Sequence, residues 1–203
     1  MFRRREGAEM GLTFTAENHE YKYDGVQIPS VTQIIKDAGL INFDFISDEL
    51  LEAKADLGNK VHRATELNDN GILDYEDLHP KLRGYLDSWI KFRKDFGFIP
   101  SEIEMEYFHP LYRYAGKIDR VGTANGVLTL VDIKSGIKQK YHHVQLGGYK
   151  VLYDYDKAPK AKIKKRLIVH LSGTGYKIEE CKSDSDMAVF LSCLSIYNFK
   201  KNI

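Results

Sequence analysis

The sequence predicts an α/β protein. Its centre would be a mixed β-sheet, a three-strand meander plus a strand after a crossover helix, flanked by helices, with an N-terminal β-hairpin and helices. Three observations carry this reading. Hydrophobic periodicity is helical from about residue 30 to 97, strand-like from 102 to 134, and helical again from 142. Asn125-Gly126, the strongest short-range signal for a two-residue hairpin loop, joins two runs of β-formers. A strand-like run, Lys164 to Leu171, follows the 142–155 helix, and a strand added after a crossover helix makes the sheet mixed.

The elements follow in order. Leu12 to Ile28 reads as a hairpin with Asp24-Gly25 at its tip and Tyr21, Tyr23, Val26 and Ile28 beside it. Pro29-Ser30 opens a short helix, VTQIIKDAG, with Ser30 as cap and Gly39 as terminator. Ser47 caps a longer helix to about Leu67, whose predicted core stripe is Leu50, Ala53, Leu57, Val61 and Ala64. A third helix opens at Pro80 and closes at Gly97, with Leu82, Leu86, Trp89, Ile90 and Phe96 apolar. Glu102 to Phe108, Arg113 to Gly122 and Val127 to Lys134 are the three consecutive strands. His142 to about Tyr155 is the crossover helix. Tyr176 to Glu180 is a last short strand after the Gly173–Gly175 turn, and Ser183 to Lys200 is a closing helix. The expected organisation is a flexible tail over 1–10 and one domain over 11–203.

At 203 residues the chain is long enough to bury a real core. Hydrophobic content of 43% with 29% charged residues excludes a disordered chain. No apolar run approaches the ~18 residues of a membrane span, and MFRRREGAEM has no signal-peptide core. Two cysteines, Cys181 and Cys193, outside any C-x-x-C pair argue for a reducing cytoplasm and against a zinc ribbon or four-cysteine cluster. The net charge of +1 means that an anionic partner must be met by a local patch. Arg3-Arg4-Arg5 and the run from Lys157 to Arg166 are the candidates, and each alone reads more readily as a solvated segment.

One feature of the apolar hairpin YAGKIDRVGTANGVLTLVDIKSG is chemically awkward. With a two-residue loop, Ala124 faces Val127, and counting back puts Asp119 opposite Asp132 and Lys117 opposite Lys134. Facing carboxylates repel, and burial makes an unpaired charge costlier. A divalent cation, with Lys134 beside it, removes the conflict. The D-x-K triplet alone says little. With 29 acidic residues and 21 lysines, roughly three acid-x-Lys triplets arise by chance, and the chain has four. Only Asp132/Lys134 follows an apolar run (LTLV) and has a facing aspartate.

Two helical pieces accompany it. Gly58, His62 and Glu66 in GNKVHRATE recur every four residues on one helix face, although a lone His beside a core stripe is more often structural. Gln145 and Tyr149 are also four apart, with Gly147-Gly148 between them at a cost of ~1 kcal/mol each relative to Ala. That cost points to a close approach by a ligand or another backbone, or to a helix packed tightly on the sheet.

In chain order, Gly58-x-x-x-His62, Gly116-x-x-Asp119, Asp132-x-Lys134 and Gln145-x-x-x-Tyr149 resemble the PD-(D/E)XK nuclease superfamily. The RecB-like exonuclease branch of phages and prophages is the nearest pattern, and VQIPSVTQII is similar to the start of phage-type members. The resemblance implies a restriction-endonuclease-like core and a Mg²⁺- or Mn²⁺-dependent deoxyribonuclease. It implies that Asp119, Asp132 and His62 hold the metal, with the carbonyl of Ile133 as a further ligand. Lys134 would orient or deprotonate the attacking water, and Gln145 and Tyr149 would position the strand or the lysine. Glu66 would sit behind the ligands or hold a second metal. Glu104, favoured over Glu106, would be the acid of the preceding strand. Oxygen-rich, thiolate-free ligation suits Mg²⁺ or Mn²⁺ better than zinc.

With two cysteines no iron–sulfur cluster is expected, and without a G-x-x-x-x-G-K-[ST] loop no ATP hydrolysis. The implied partners are DNA and, in phage recombination, replication or repair, a recombinase or single-strand-binding protein. Arg63, Arg120, Lys138, Lys140, Lys164 and Lys165 are the candidate phosphate contacts. The leading function is an exonuclease at linear DNA ends in a bacterial or phage-infected cytoplasm. The alternatives are a structure-specific endonuclease on the same fold and a non-catalytic nucleic-acid-binding module.

Overall fold

The computed structural model of the chain describes residues 11–15, 20–42 and 47–201. The Arg3-Arg4-Arg5 segment and the expected tail over 1–10 lie outside them. A small antiparallel sheet comes first, in the order β1-β2-β3, from β1 (Leu12–Thr15), β2 (Glu20–Tyr23) and β3 (Val26–Ile28). The Asp24-Gly25 tip is where the sequence puts it, with both residues in the left-handed region. Ser30 then caps α1 (Val31–Asp37) through a full capping box with Gln33. The helices α2 (Asp48–Asp69) and α3 (Pro80–Phe96) follow, the first capped by Ser47 and the second closed by Gly97 in the left-handed conformation.

The second sheet has five strands in the order β4-β5-β6-β7-β8: β4 (Phe98–His109), β5 (Tyr114–Ala124), β6 (Val127–Lys134), β7 (Lys165–Ser172) and β8 (Gly175–Glu180). The crossover helix α4 (Tyr141–Asp156) makes β6 and β7 parallel, and every other pair in the sheet is antiparallel. The Asn125-Gly126 loop sets the expected register, with Ala124 facing Val127.

Side chains alternate across this sheet into two cores. On one face Leu130 and Ile168 pack with Val31 and Ile34 of α1, Tyr149 and Leu152 of α4, and Phe190 of α5 (Ser185–Lys201). On the other, Val131, Ile133, Leu167 and Val169 pack with Val61 of α2 and Leu86, Trp89 and Phe92 of α3. The expected stripe of α2 holds only in its C-terminal half. Val61 and Ala64 are buried and Leu57 packs against the second core, whereas Leu50 and Ala53 are exposed.

The Gly147-Gly148 pair is explained by a neighbouring helix. A Cβ on Gly147 would lie 2.6 Å from the carbonyl oxygen of Asp186, and one on Gly148 2.8 Å from the ring of Phe190. The close approach is that of α5, which crosses α4 at these two positions.

His142 on α4 is 4% exposed, with its ring edge-on to Tyr141, and burial pushes its imidazole down to about 3. The folded value lies below the ordinary 6.5, so between them the unfolded chain binds the extra proton. Stability from this group is therefore full above about pH 6.5 and falls as the pH drops toward 3. The melting temperature should drop between pH 7.5 and pH 5, and His142→Gln should reduce that drop. Equal drops in the two proteins would assign the acid sensitivity elsewhere.

Candidate active site

Three acidic residues lie side by side on three neighbouring strands. Ile103 pairs with Arg120 and Met105 with Ile118, so Glu104 of β4 lies across from Asp119 of β5. The β5–β6 pairing runs to Arg120–Val131, and Asp119 and Asp132 are the next positions in that register. Alternation breaks here. Ile118 and Val121 both pack into the first core although they are three residues apart. Glu104 has φ +52°, a left-handed conformation that costs a non-glycine residue of order 1 kcal/mol or more. This turn carries Glu104 into the cleft while Glu106 stays exposed across from Lys117.

The facing aspartates are not a bare repulsive pair. Asp119 Oδ2 accepts the backbone N–H of Ile133 at 2.7 Å, in the place of a ladder bond. Asp132, 2% exposed, pairs with Lys134 Nζ at 2.8 Å. Burial still pushes the Asp132 carboxyl up to about 6, with Lys134 working against that rise and Asp119 adding to it. Burial would lower the Lys134 ammonium, but Asp132 and Asp119 outweigh it and hold the group protonated above its ordinary range.

His62 comes from α2, above the strands. Its Nε2 donates to the carbonyl of Ile133 at 3.0 Å, and Nδ1 lies 3.5 Å from Glu104 Oε1 and 3.6 Å from Asp119 Oδ1. In the neutral ring this turns the Nδ1 lone pair toward two carboxylate oxygens. A carbonyl that fixes one imidazole nitrogen while the other faces oxygen ligands is the usual arrangement behind a metal-binding histidine. One atom each from His62, Glu104 and Asp119 lies within 4.8 Å of the other two. This donor set, one imidazole and two carboxylates, fits a divalent cation. Burial opposes charge on His62, but Asp119 and Glu104 outweigh it and raise the imidazole. Burial likewise opposes charge on Glu104, whereas His62, Lys117 and Arg120 pull its carboxyl down to about 2.

The expected ligand set differs from this cluster in two respects. Glu104 stands in it and Asp132 does not, because the Asp132 carboxylate is turned to Lys134. The Ile133 carbonyl, expected as a ligand, is taken by His62. All the expected side chains nonetheless line one cleft of about 460 Å³: His62, Glu66, Glu104, Asp119, Asp132, Lys134, Gln145 and Tyr149, with Arg63 and Lys117 at its wall. Gln145 Nε2 donates to the Tyr149 hydroxyl at 3.0 Å and lies 3.4 Å from Thr32 Oγ1, with no bond to Lys134. Gly116 leaves room for this wall, since a Cβ there would lie 2.8 Å from the Tyr149 ring and 3.1 Å from Val31.

The expected phosphate contacts divide. Arg63 lines the cleft and pairs with Glu66 at 2.9 Å. Lys138 pairs with Glu179 of β8 at 2.7 Å, and Lys140 is exposed at the start of α4. Arg120 is no phosphate contact. It is fully buried, bonded to Asp69 (2.7 Å), Glu104 (2.9 Å), Thr65 (3.1 Å) and the Asp119 carbonyl (2.6 Å), with its guanidinium over Trp89. It ties Glu104 to both helices. Lys164 and Lys165 lie away from the cleft: Lys165 pairs with Thr129, three residues before Asp132 and so about 10 Å along the strand. The basic run is also broken, since Lys157 pairs with Glu102 and the buried Arg166 with Asp186.

Lys117 is a site residue that the sequence reading did not single out. Its Nζ lies 3.0 Å from Glu104 Oε2. Its signal was its register position in the hairpin, two residues before Asp119 and opposite Lys134.

A mixed sheet presents acids on three adjacent strands, a lysine two residues after the last and a histidine from α2, a donor set that could hold a divalent cation beside an ammonium. The sequence profile of the PD-(D/E)XK nuclease superfamily matches residues 46–185, and the chain belongs to this superfamily. Nucleases of this family use divalent metals. No curated protein matches the sequence. Among solved structures, one titled "Crystal structure of SSO0001" is similar, with 16% identity and a TM-score of 0.35. The match covers 56% of this chain and 57% of that one. No helix among the described residues is long and apolar enough to cross a membrane.

Proposed function

We propose that the protein is a metal-dependent DNA exonuclease that hydrolyses phosphodiester bonds at linear ends, in phage or prophage recombination, replication or repair. The observation that carries the hydrolytic reading is the meeting of the His62–Glu104–Asp119 donor set with the Asp132–Lys134 pair in one cleft. The end-directed, phage-type part rests on the order of the four motifs. His62, Glu104 and Asp119 would hold Mg²⁺ or Mn²⁺. Such an ion supplies charge neutralisation at the phosphate and activation of water.

The remaining chemistry belongs to the chain. Lys134, kept as an ammonium, orients the attacking water and stabilises charge on the phosphate oxygens. A lysine held protonated is a poor base, so the proton of that water goes to the Asp132 carboxylate, which lines the cleft 2.8 Å from the Lys134 ammonium. Water oxygen bonds to phosphorus, the bond to the leaving sugar oxygen breaks, and that oxygen leaves protonated from solvent. Gln145 and Tyr149 form the wall against which the strand is placed, and Arg63 meets its backbone.

Incubation with end-labelled linear duplex, single strands, nicked circles and covalently closed circles in Mg²⁺, Mn²⁺ or EDTA tests this reading. Progressive loss of linear DNA only with metal is expected. Cutting of covalently closed circles would replace it with an endonuclease, and no cleavage of any substrate would remove it.

A further inference from the structure

We propose that Lys117 is a displaceable counter-ion of the metal site. In the metal-free protein its ammonium occupies Glu104, a divalent cation displaces it, and the freed ammonium takes a non-bridging oxygen of the substrate phosphate. The proposal rests on the reading of the cleft as a phosphodiester-hydrolysing centre.

Glu104 holds two cations of unlike kind. Arg120 reaches Oε1 from a fully buried position and is fixed by bonds to Asp69, Thr65 and the Asp119 carbonyl. Its departure would strand Asp69 as a buried, partly uncompensated charge. Lys117 reaches Oε2 at 3.0 Å, its side chain is 34% exposed, and its flexible stem can leave without burying a charge. A divalent cation on His62, Glu104 and Asp119 would lie nearest Glu104 Oε1, 3.5 Å from His62 Nδ1, while Lys117 holds Oε2 of the same carboxylate, so the two cations repel across one group and compete for its charge.

The displaced ammonium stays in the cleft. Lys117 is two residues from Asp119 along β5, about 7 Å, whereas Lys134 enters from β6 on Asp132. A phosphate between the strands would then meet an ammonium from each side, one per non-bridging oxygen. The competing resting place is Glu106, directly across β4 from Lys117.

The test compares wild type with Lys117→Met and Lys117→Arg, each first checked by thermal melting. Mn²⁺ affinity is read by calorimetry without nucleic acid. Affinity for a labelled single-stranded oligonucleotide is read by anisotropy in Ca²⁺, with its integrity verified on a gel. Removing the competitor in Lys117→Met should tighten Mn²⁺ binding about 3- to 30-fold. The same variant should weaken oligonucleotide binding about 5- to 10-fold through loss of one phosphate contact. Lys117→Arg, whose fork grips a carboxylate with two bonds, should weaken Mn²⁺ binding although the charge is unchanged. Unchanged or weaker Mn²⁺ binding in Lys117→Met overturns the proposal. Tighter Mn²⁺ with unchanged oligonucleotide binding overturns its phosphate half and sends the ammonium to Glu106. If both shifts occur in a protein that cleaves no substrate, the Lys117 role stands and the hydrolytic reading falls.

Discussion

Lys134→Ala is expected to lower the single-turnover cleavage rate by about 10³-fold, the upper range for removal of one preorganised electrostatic group. Two effects act together. The ammonium that orients water and meets the phosphate is lost, and so is the 2.8 Å partner of Asp132. Without that partner, burial and the Asp119 charge act on Asp132 unopposed and push its carboxyl further toward the neutral form, a poorer proton acceptor. Folding should change little, because a neutral Asp132 no longer places an unpaired charge in the core. Lys134→Arg should not restore the rate, since a planar fork does not reproduce a compact ammonium in this buried position. A Lys134→Ala protein that kept a tenth of the rate would remove Lys134 from the chemistry.

Asp119→Asn is expected to abolish measurable cleavage and metal binding while leaving the melting temperature within a few degrees of wild type. The amide oxygen can still accept the Ile133 N–H, so the backbone bond at 2.7 Å survives while the ligand charge disappears. Asp119→Ala should lose cleavage equally and also lose about 1–3 kcal/mol of stability, because the buried Ile133 N–H is left without an acceptor. The register alone suggested the opposite for alanine: relief of a repulsive pair, with folding intact or improved. Denaturant titration of the two variants decides, and equal stabilities would mean that the Asp119 carboxylate has no part in joining β5 to β6.

Both results bear on what the sequence could say. The β5–β6 register was legible because Asn125-Gly126 specifies a two-residue loop, and a fixed loop fixes every facing pair behind it. Asp119, Asp132 and Lys134 were singled out by that register, whereas His62, Gln145 and Tyr149 were marked only by four-residue spacing and took their roles from the resemblance to the superfamily. Each of these lines the cleft. Glu104 was visible only as one of two glutamates in a strand, because the choice between them depends on a left-handed backbone at one residue. Periodicity assumes regular backbone, so it fails where the strand is irregular, and here that is at the site. Arg120 was misread for a related reason. An arginine in a charged hairpin looks solvent-facing until Asp69, fifty-one residues earlier, is brought beside it.

The chain by itself determined its elements, their order and the pairing of the meander, since caps, turns and side-chain period are local and act through a few neighbouring residues. It also determined which residue types meet at the hairpin. Only the tertiary structure decided which carboxylate faces which cation: Asp132 with Lys134, Glu104 with Lys117 and Arg120, and Asp119 with the Ile133 backbone. Those pairings depend on the irregular β4–β5 pairing, on the left-handed backbone at Glu104 and, for Arg120, on the arrival of Asp69 of α2 beside it. Charges separated by tens of residues choose partners only when packing has set their distances and burial has made each unpaired charge costly.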